Sequence, residues 1–223
     1  MLDVHEPEGE VRGWRGLLTH LFIITLGLLI ALALEGAVEW IHHRNLAREA
    51  RHELQAEFGD NEQIVRKELA GIDEQQKQAA ENMAALDEVK GQASNADFRF
   101  RVHTWNPLSR SAWDTARETG AFEYMDYGEV DRYAKVVDLE NEFMIHQDRL
   151  VHSYSHGVMV ARRIQLLSEK GPKQDLNATT DQGTAVLLDL ESELEMCQWV
   201  GNKLELMYPN VVPKLKQGSS KPQ

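Results

Sequence analysis

Two histidines four residues apart, His152 and His156 in the stretch HSYSH, are the first candidates for chemistry in this chain. On a helix that spacing puts both imidazoles on one face, where they could share a metal ion. A site needs a third ligand, and no residue elsewhere in the sequence is marked out to supply it. Glu142 and His146 repeat the spacing one turn earlier, but His146 falls on an apolar row and reads as a core residue. The expectation is two exposed histidines on a polar face, with no metal and no cofactor. Glu39 and His43 form another pair at i and i+4. Together with His42 they could sense pH near neutrality, although anchoring at a membrane surface is the preferred reading. Trp105, Trp113, Phe122, Tyr124 and Tyr127 crowd one short region and are expected to form core rather than a ligand pocket.

Enzyme signatures are missing. The chain has no G-x-S-x-G, no H-E-x-x-H and no G-x-x-x-x-G-K-[ST]. Its single cysteine, Cys197, excludes an intramolecular disulfide and a cysteine-rich metal site. Cys197 also lies on an apolar row, as an inert buried thiol would. The net charge of -12 over 223 residues argues against a nucleic-acid partner. It argues equally against docking on anionic lipid by charge alone. The chain is therefore expected not to be an enzyme.

The elements that position these residues start with Gly16–Leu34, GLLTHLFIITLGLLIALAL, which holds no Asp, Glu, Lys or Arg. As a helix its 19 residues span roughly 28 Å, the thickness of a bilayer's hydrocarbon core. A cleaved signal peptide shares part of this outline, with Arg12 and Arg15 ahead and Ala31–Ala33 as an A-x-A-like site. The run is long for a signal, and the helical pattern continues through Glu35–Arg51 without a turn. An uncleaved anchor is the favoured reading. Trp14 and Trp40 bracket it as membrane-interface residues. Arg12 and Arg15 before the span, against Glu35 and Glu39 after it, place the N-terminus in the cytoplasm and the bulk of the chain outside. Gly27 and Ala31 form a small-xxx-small pair that permits close helix packing within the span. His20, the one ionisable group inside it, reads as a neutral residue near the interface.

Beyond the span every segment is helical in pattern. Val65, Leu69, Ile72, Gln76, Ala79, Met83 and Leu86 step by four and three. Phe58–Asn61, FGDN, could bend this helix, and Gly91–Asp97 is the first clear loop. Asn106 is expected to cap a helix with Pro107 at its first position and Gly120 at its end. Asp126 and Glu129 form a capping-box pattern ahead of a long helix to about Lys170. Its apolar row is Val136, Leu139, Phe143, His146, Leu150, Ser153, Gly157, Val160, Ile164 and Leu167. A last helix follows Gly171–Asn177, with Leu187, Leu190, Leu194, Cys197, Gly201, Leu204 and Tyr208 in its row, and stops at Pro209. Gly157 and Gly201 in these rows suggest close helix approach. No segment shows a period of two.

The predicted fold is all-α: a single transmembrane helix continuing into a bundle of about four helices. In residue terms this gives a tail over 1–15, a span over 16–34, a membrane-proximal helix over 35–90, bundle helices over 98–208 and a flexible tail over 209–223.

The stretch GLLIALALEGAVEWIHHR followed by EARHELQAEFGDN resembles a group of uncharacterised bacterial single-pass membrane proteins. Their segment reads GILIAL…NNWNE.R and leads into a helix of the L..E...N kind. Gly27–Leu32, Glu39–Trp40, Leu54, Glu57 and Asn61 match that outline, while EGAVEW stands where many members have NNWNE. The resemblance covers roughly residues 20–61. It implies a bacterial inner-membrane protein with a helical extracytoplasmic part, and it carries no activity.

Three function classes follow. The first is a scaffold that self-associates as a homo-oligomer or binds a membrane-protein partner beside the lipid bilayer. The second is an extracytoplasmic ligand sensor, which would need a partner subunit because only about 16 residues precede the span. The third, a metal-dependent enzyme, lacks a converging ligand set. The scaffold reading is preferred.

Overall fold

A computed structural model describes residues 13–90, 98, 99 and 104–212. Among them there is no strand. Four α-helices follow one another: α1 (Trp14–Lys90), α2 (Ser111–Glu118), α3 (Tyr127–Lys170) and α4 (Lys173–Met207). Short 3-10 turns occupy Ala121–Tyr124 and Tyr208–Asn210. The chain divides into two units, Met1–Glu49 and Ala50–Gln223. Gly91–Asp97, expected as a loop, lies outside the described residues, as does the tail beyond residue 212.

In the first unit the apolar residues of α1 from Leu17 to Ile41 have no protein cover. It is the one described helix long and apolar enough to cross a membrane, and none of its most apolar stretch is buried. Trp14 and Trp40 are exposed at its two edges, and the Arg44 guanidinium lies 5.2 Å from the centre of the Trp40 ring. Helical hydrogen bonding does not stop at Ala31–Ala33 or at FGDN. α1 runs unbroken through Phe58–Asn61, where Phe58 and Asn61 are both fully buried.

The second unit is built on three long rods. The second half of α1 and α3 run the same way: Arg51 meets Glu129, and Phe58 packs on Tyr133 with ring centres 5.6 Å apart. α4 runs against both. A side chain at Gly201 would meet Leu69 and Phe143, and one at Gly183 would meet Leu86 and Val160. The glycine at 201 thus permits the close approach read from the sequence. The apolar rows close on one another, with Val65, Ile72, Leu86, Phe143, Leu150, Ile164, Leu190, Leu194 and Leu204 almost wholly buried. The heptad row of α1 is therefore covered within its own chain.

Parallel neighbours need a long crossover, and residues 104–126 belong to it. Here the sequence reading needs correction. Asn106 and Pro107 do not begin a helix; residues 104–110 are non-helical and α2 starts at Ser111. Asn106 is used elsewhere, as shown below. Gly120 does follow the helix, in the left-handed conformation (φ 71°) that suits glycine. Asp126 caps α3 by accepting from the Glu129 backbone N–H at 3.0 Å. The Glu129 side chain does not reach back; Arg51 takes it. The aromatic cluster is not core: Trp113 packs on Phe122 at 4.7 Å with both rings only half-buried, Trp105 is also half-buried, and Tyr124 and Tyr127 are exposed. Val211, just past the second 3-10 turn, is buried.

Candidate functional site

α1 carries a second row that the apolar pattern hides. Asn61, Glu68, Gln75 and Asn82 recur every seven residues, and all four are buried. Asn61, Glu68 and Asn82 face the crossover, while Gln75 donates to the Gly71 carbonyl of its own helix. Asn82 donates from Nδ2 to the Arg99 carbonyl (3.0 Å) and accepts from the Arg99 N–H (2.8 Å). Asn61 repeats the arrangement on Ser109, at 2.8 and 2.9 Å. A side-chain amide here takes the place of a neighbouring strand's peptide group. Glu68 accepts from both the backbone N–H and the Nδ2 of Asn106. Three residues of strap, Asn106 to Ser109, match seven residues of helix, about 10 Å each way. The strap is therefore extended and runs antiparallel to α1. Glu57 ends the series: its Oε2 accepts from the hydroxyls of Ser109 (2.6 Å) and Ser111 (2.9 Å) and from the Ala112 N–H (2.9 Å). α2 has no side-chain cap of its own, so a carboxylate from α1 serves as one.

The seam meets α3 and the end of α4 at Glu140, which has no exposed surface. Its Oε1 accepts from Asn61 Nδ2 and from the Tyr208 hydroxyl, both at 2.9 Å. Its Oε2 is buried without a hydrogen-bond partner, as is Nε of Arg110. Burial pushes the Glu140 carboxyl up to about 7; the two donors and Arg110 oppose this, and the Glu57 charge adds to it. Burial, with the Glu140 charge, also drives the Tyr208 phenol far above its ordinary range. Arg110 donates to Asn141, and its guanidinium lies 3.9 Å from Asp114. A carboxyl with no exposed surface meets no substrate. The chemistry this cluster supports is proton uptake coupled to how tightly α1, the strap, α3 and the α4 terminus are held together.

A second polar contact lies at the start of this unit, between α1 and the first turn of α3. Arg51 makes a two-pronged pair with Glu129 at 2.6 and 2.7 Å, and the Tyr133 hydroxyl donates to the same carboxylate at 2.9 Å. The Arg51 hydrogen bond, then Tyr133, hold the Glu129 carboxyl below its usual range against the opposing effect of burial.

The histidines part company. His146 is buried, with Nδ1 2.6 Å from a Glu193 oxygen. His152 is exposed on an open groove between α3 and α4 lined also by Asp148, Arg149, Ser153, Asp189 and Glu193. His156 turns toward Gln182, at 3.2 Å. Among the described residues no group of three or more His, Cys, Asp or Glu side chains is placed to hold a metal ion. Cys197 is fully buried and its thiol is pushed up to about 12, chiefly by burial and then by the charges of Glu68 and Glu193. His42 and His43 lie ring to ring at 5.9 Å near the end of the apolar stretch. Gly27 and Ala31 lie on the open surface of α1, with nothing within 4 Å of where a Gly27 side chain would begin.

The apolar periodicity of α1 does not reveal the polar seam. The signal was present as Asn, Glu, Gln and Asn at a strict spacing of seven. No family model, curated protein or solved structure matches the chain.

Proposed function

We propose that this protein is a membrane-anchored interaction protein, held by α1 in a bacterial inner membrane with its N-terminus in the cytoplasm and its helical bundle outside. The observation that carries the anchor is the uncovered apolar length of α1. Leu21, Phe22, Ile23, Ile24, Leu28 and Leu34 each expose more than half of their surface, at roughly 25 cal/mol per Å² of apolar area left in water. Lipid removes that penalty. A signal sequence would have to unwind at Ala31–Ala33 to be cut, and the helix there is continuous with the bundle's first rod. The resemblance of residues 20–61 to bacterial single-pass proteins supports the same location.

The interaction role is supported by apolar surface left over on the bundle. Ile145, Met159 and Leu166 share one exposed row of α3, with His152 between them, and Leu188, Trp199 and Leu206 are exposed on α4. Surfaces of this kind mark contact sites for other proteins. Among the described residues no converging catalytic set competes with that reading.

The test is fractionation followed by retention of partners. Full-length protein should stay in membranes through an alkaline wash and keep its own N-terminus. Partners crosslinked to the wild type in native membranes should be lost from a Met159→Lys, Leu166→Lys variant. A soluble mature chain beginning near Leu34 would refute the anchor. Identical partners on wild type and variant would refute the interaction face. A reporter active only outside the cytoplasm, fused after Gln223, should be active; activity of a cytoplasm-only reporter there would reverse the orientation.

A further inference from the structure

In a helix that crosses lipid, most faces are interchangeable, so the polar residues say which face is special. Within the apolar stretch of α1 they are few. Thr19 and Thr25 donate to the carbonyls of Arg15 (2.9 Å) and Leu21 (2.8 Å) on their own helix. His20 remains, exposed on the helix surface. It belongs to one row that steps by three and four without a break: Leu17, His20, Ile24, Gly27, Ala31, Leu34, Val38, Ile41, Asn45. Every member of the row is exposed. A spacing of 3.5 residues sustained over four heptads is the pattern of a two-stranded seam. Ionisable residues within a span generally face another helix rather than lipid, and His20 lies on this row. At the other end the row closes on Asn45, the residue type that fixes register and dimer state at a single core position.

The flanks carry complementary charge. Arg44 borders the row on one side. Glu35, His42 and Glu49 border it on the other. In a parallel pair in register, the residue before one core position meets the partner residue five places further on. That rule sets Arg44 of each copy against the Glu49 position of the other. An antiparallel pair does not, and within one membrane it would need the two copies inserted with opposite orientations. Arg48 follows at the next core position with like charge against like, so the seam ends at Asn45.

We propose that two copies of this chain pair in parallel through α1, along the row from Leu17 to Asn45, with Arg44 of each copy against Glu49 of the other. Gly27 and Ala31 let the backbones approach where lipid gives no hydrophobic drive. Leu34, Val38 and Ile41 carry the contact out past the membrane surface, and Asn45 sets the register. The proposal rests on the membrane reading of α1.

Disulfide mapping on the full-length protein in membranes tests it. Cys197 is fully buried, so the native background is low. Val38→Cys and Ile41→Cys, on the row, should crosslink into dimers on mild oxidation. Gly36→Cys and Glu39→Cys, off it, should remain largely monomeric. Arg44→Glu should weaken dimerisation about fivefold, the size expected for exposed pairs that become repulsive, and adding Glu49→Arg should restore it. Crosslinking that is uniform, absent, or strongest at 36 and 39 would overturn the seam while alkaline-wash retention leaves the anchor standing. Failure of Glu49→Arg to rescue would overturn the parallel register. Release of the protein by the wash would overturn the anchor and, with it, the seam.

Discussion

Glu140 makes a quantitative prediction. The perturbation is pH, with Glu140→Gln as its control. The carboxyl sits at about 7 in the folded chain against an ordinary 4.5. Below pH 4.5 the group holds its proton whether the chain is folded or not, so the stability it allows is fully present. Between about 4.5 and 7 only the folded state keeps the proton, and stability falls as pH rises. Above about 7 the loss is complete. Holding the carboxyl that far up is equivalent to about 3 kcal/mol, a large share of a domain's usual stability. Glu140→Gln keeps an oxygen to accept from Asn61 and Tyr208, and it places an uncharged group where Oε2 has no partner. The variant should match the wild type near pH 4.5 and exceed it by about 3 kcal/mol at pH 8. The assay is urea unfolding of the full-length protein in mild detergent, followed by helical circular dichroism at a series of pH values. Other titrating groups, Glu129 included, are common to both proteins and cancel in the difference. A difference that stays constant from pH 4.5 to 8 would show that Glu140 is not held protonated and would sink the argument.

Three further outcomes follow. Arg51→Ala should cost about 1 kcal/mol at neutral pH, because the pair with Glu129 is partly exposed. Glu129 is held below its usual range, so this contribution is lost as pH falls through that range, and melting curves of the two proteins should converge in acid. Gly201→Val should destabilise by about 2 kcal/mol, since its first side-chain atom would lie 2.7 Å from Leu69 Cδ2 and 3.1 Å from Phe143 Cε2; an unchanged denaturation midpoint would show that the helices do not approach this closely. Ile72→Asp, at a position with no exposed surface, should cost several kcal/mol or force the new carboxyl to stay protonated; a fully folded, equally stable variant would mean that the α1 row is not covered by its own chain.

Periodicity alone determined much of this protein. The apolar run after Arg15, the rows through Ile72, Phe143 and Leu194, the cap at Asp126 and the break after Lys170 are local signals that match the structure, although the break is only two residues and α4 begins at Lys173, inside the stretch Gly171–Asn177 read as a loop. They are legible because an amphipathic helix writes its buried face at intervals of three and four. The corrections came where a polar residue had two competing partners. Asn106 next to Pro107 is a good local cap, yet Glu68 on another segment takes both its N–H groups. Glu129 could reach back to its own helix end, yet a guanidinium 78 residues away binds it more strongly. Asn61, Glu68 and Asn82 look like solvent-facing residues until the backbone of Ser109, Asn106 and Arg99 arrives beside them. Sequence spacing gives the angle of a residue around its helix; it does not say which segment will arrive at that angle. That choice belongs to the crossover imposed by two parallel rods, and it turned Glu140 from one carboxylate among many into a buried acid.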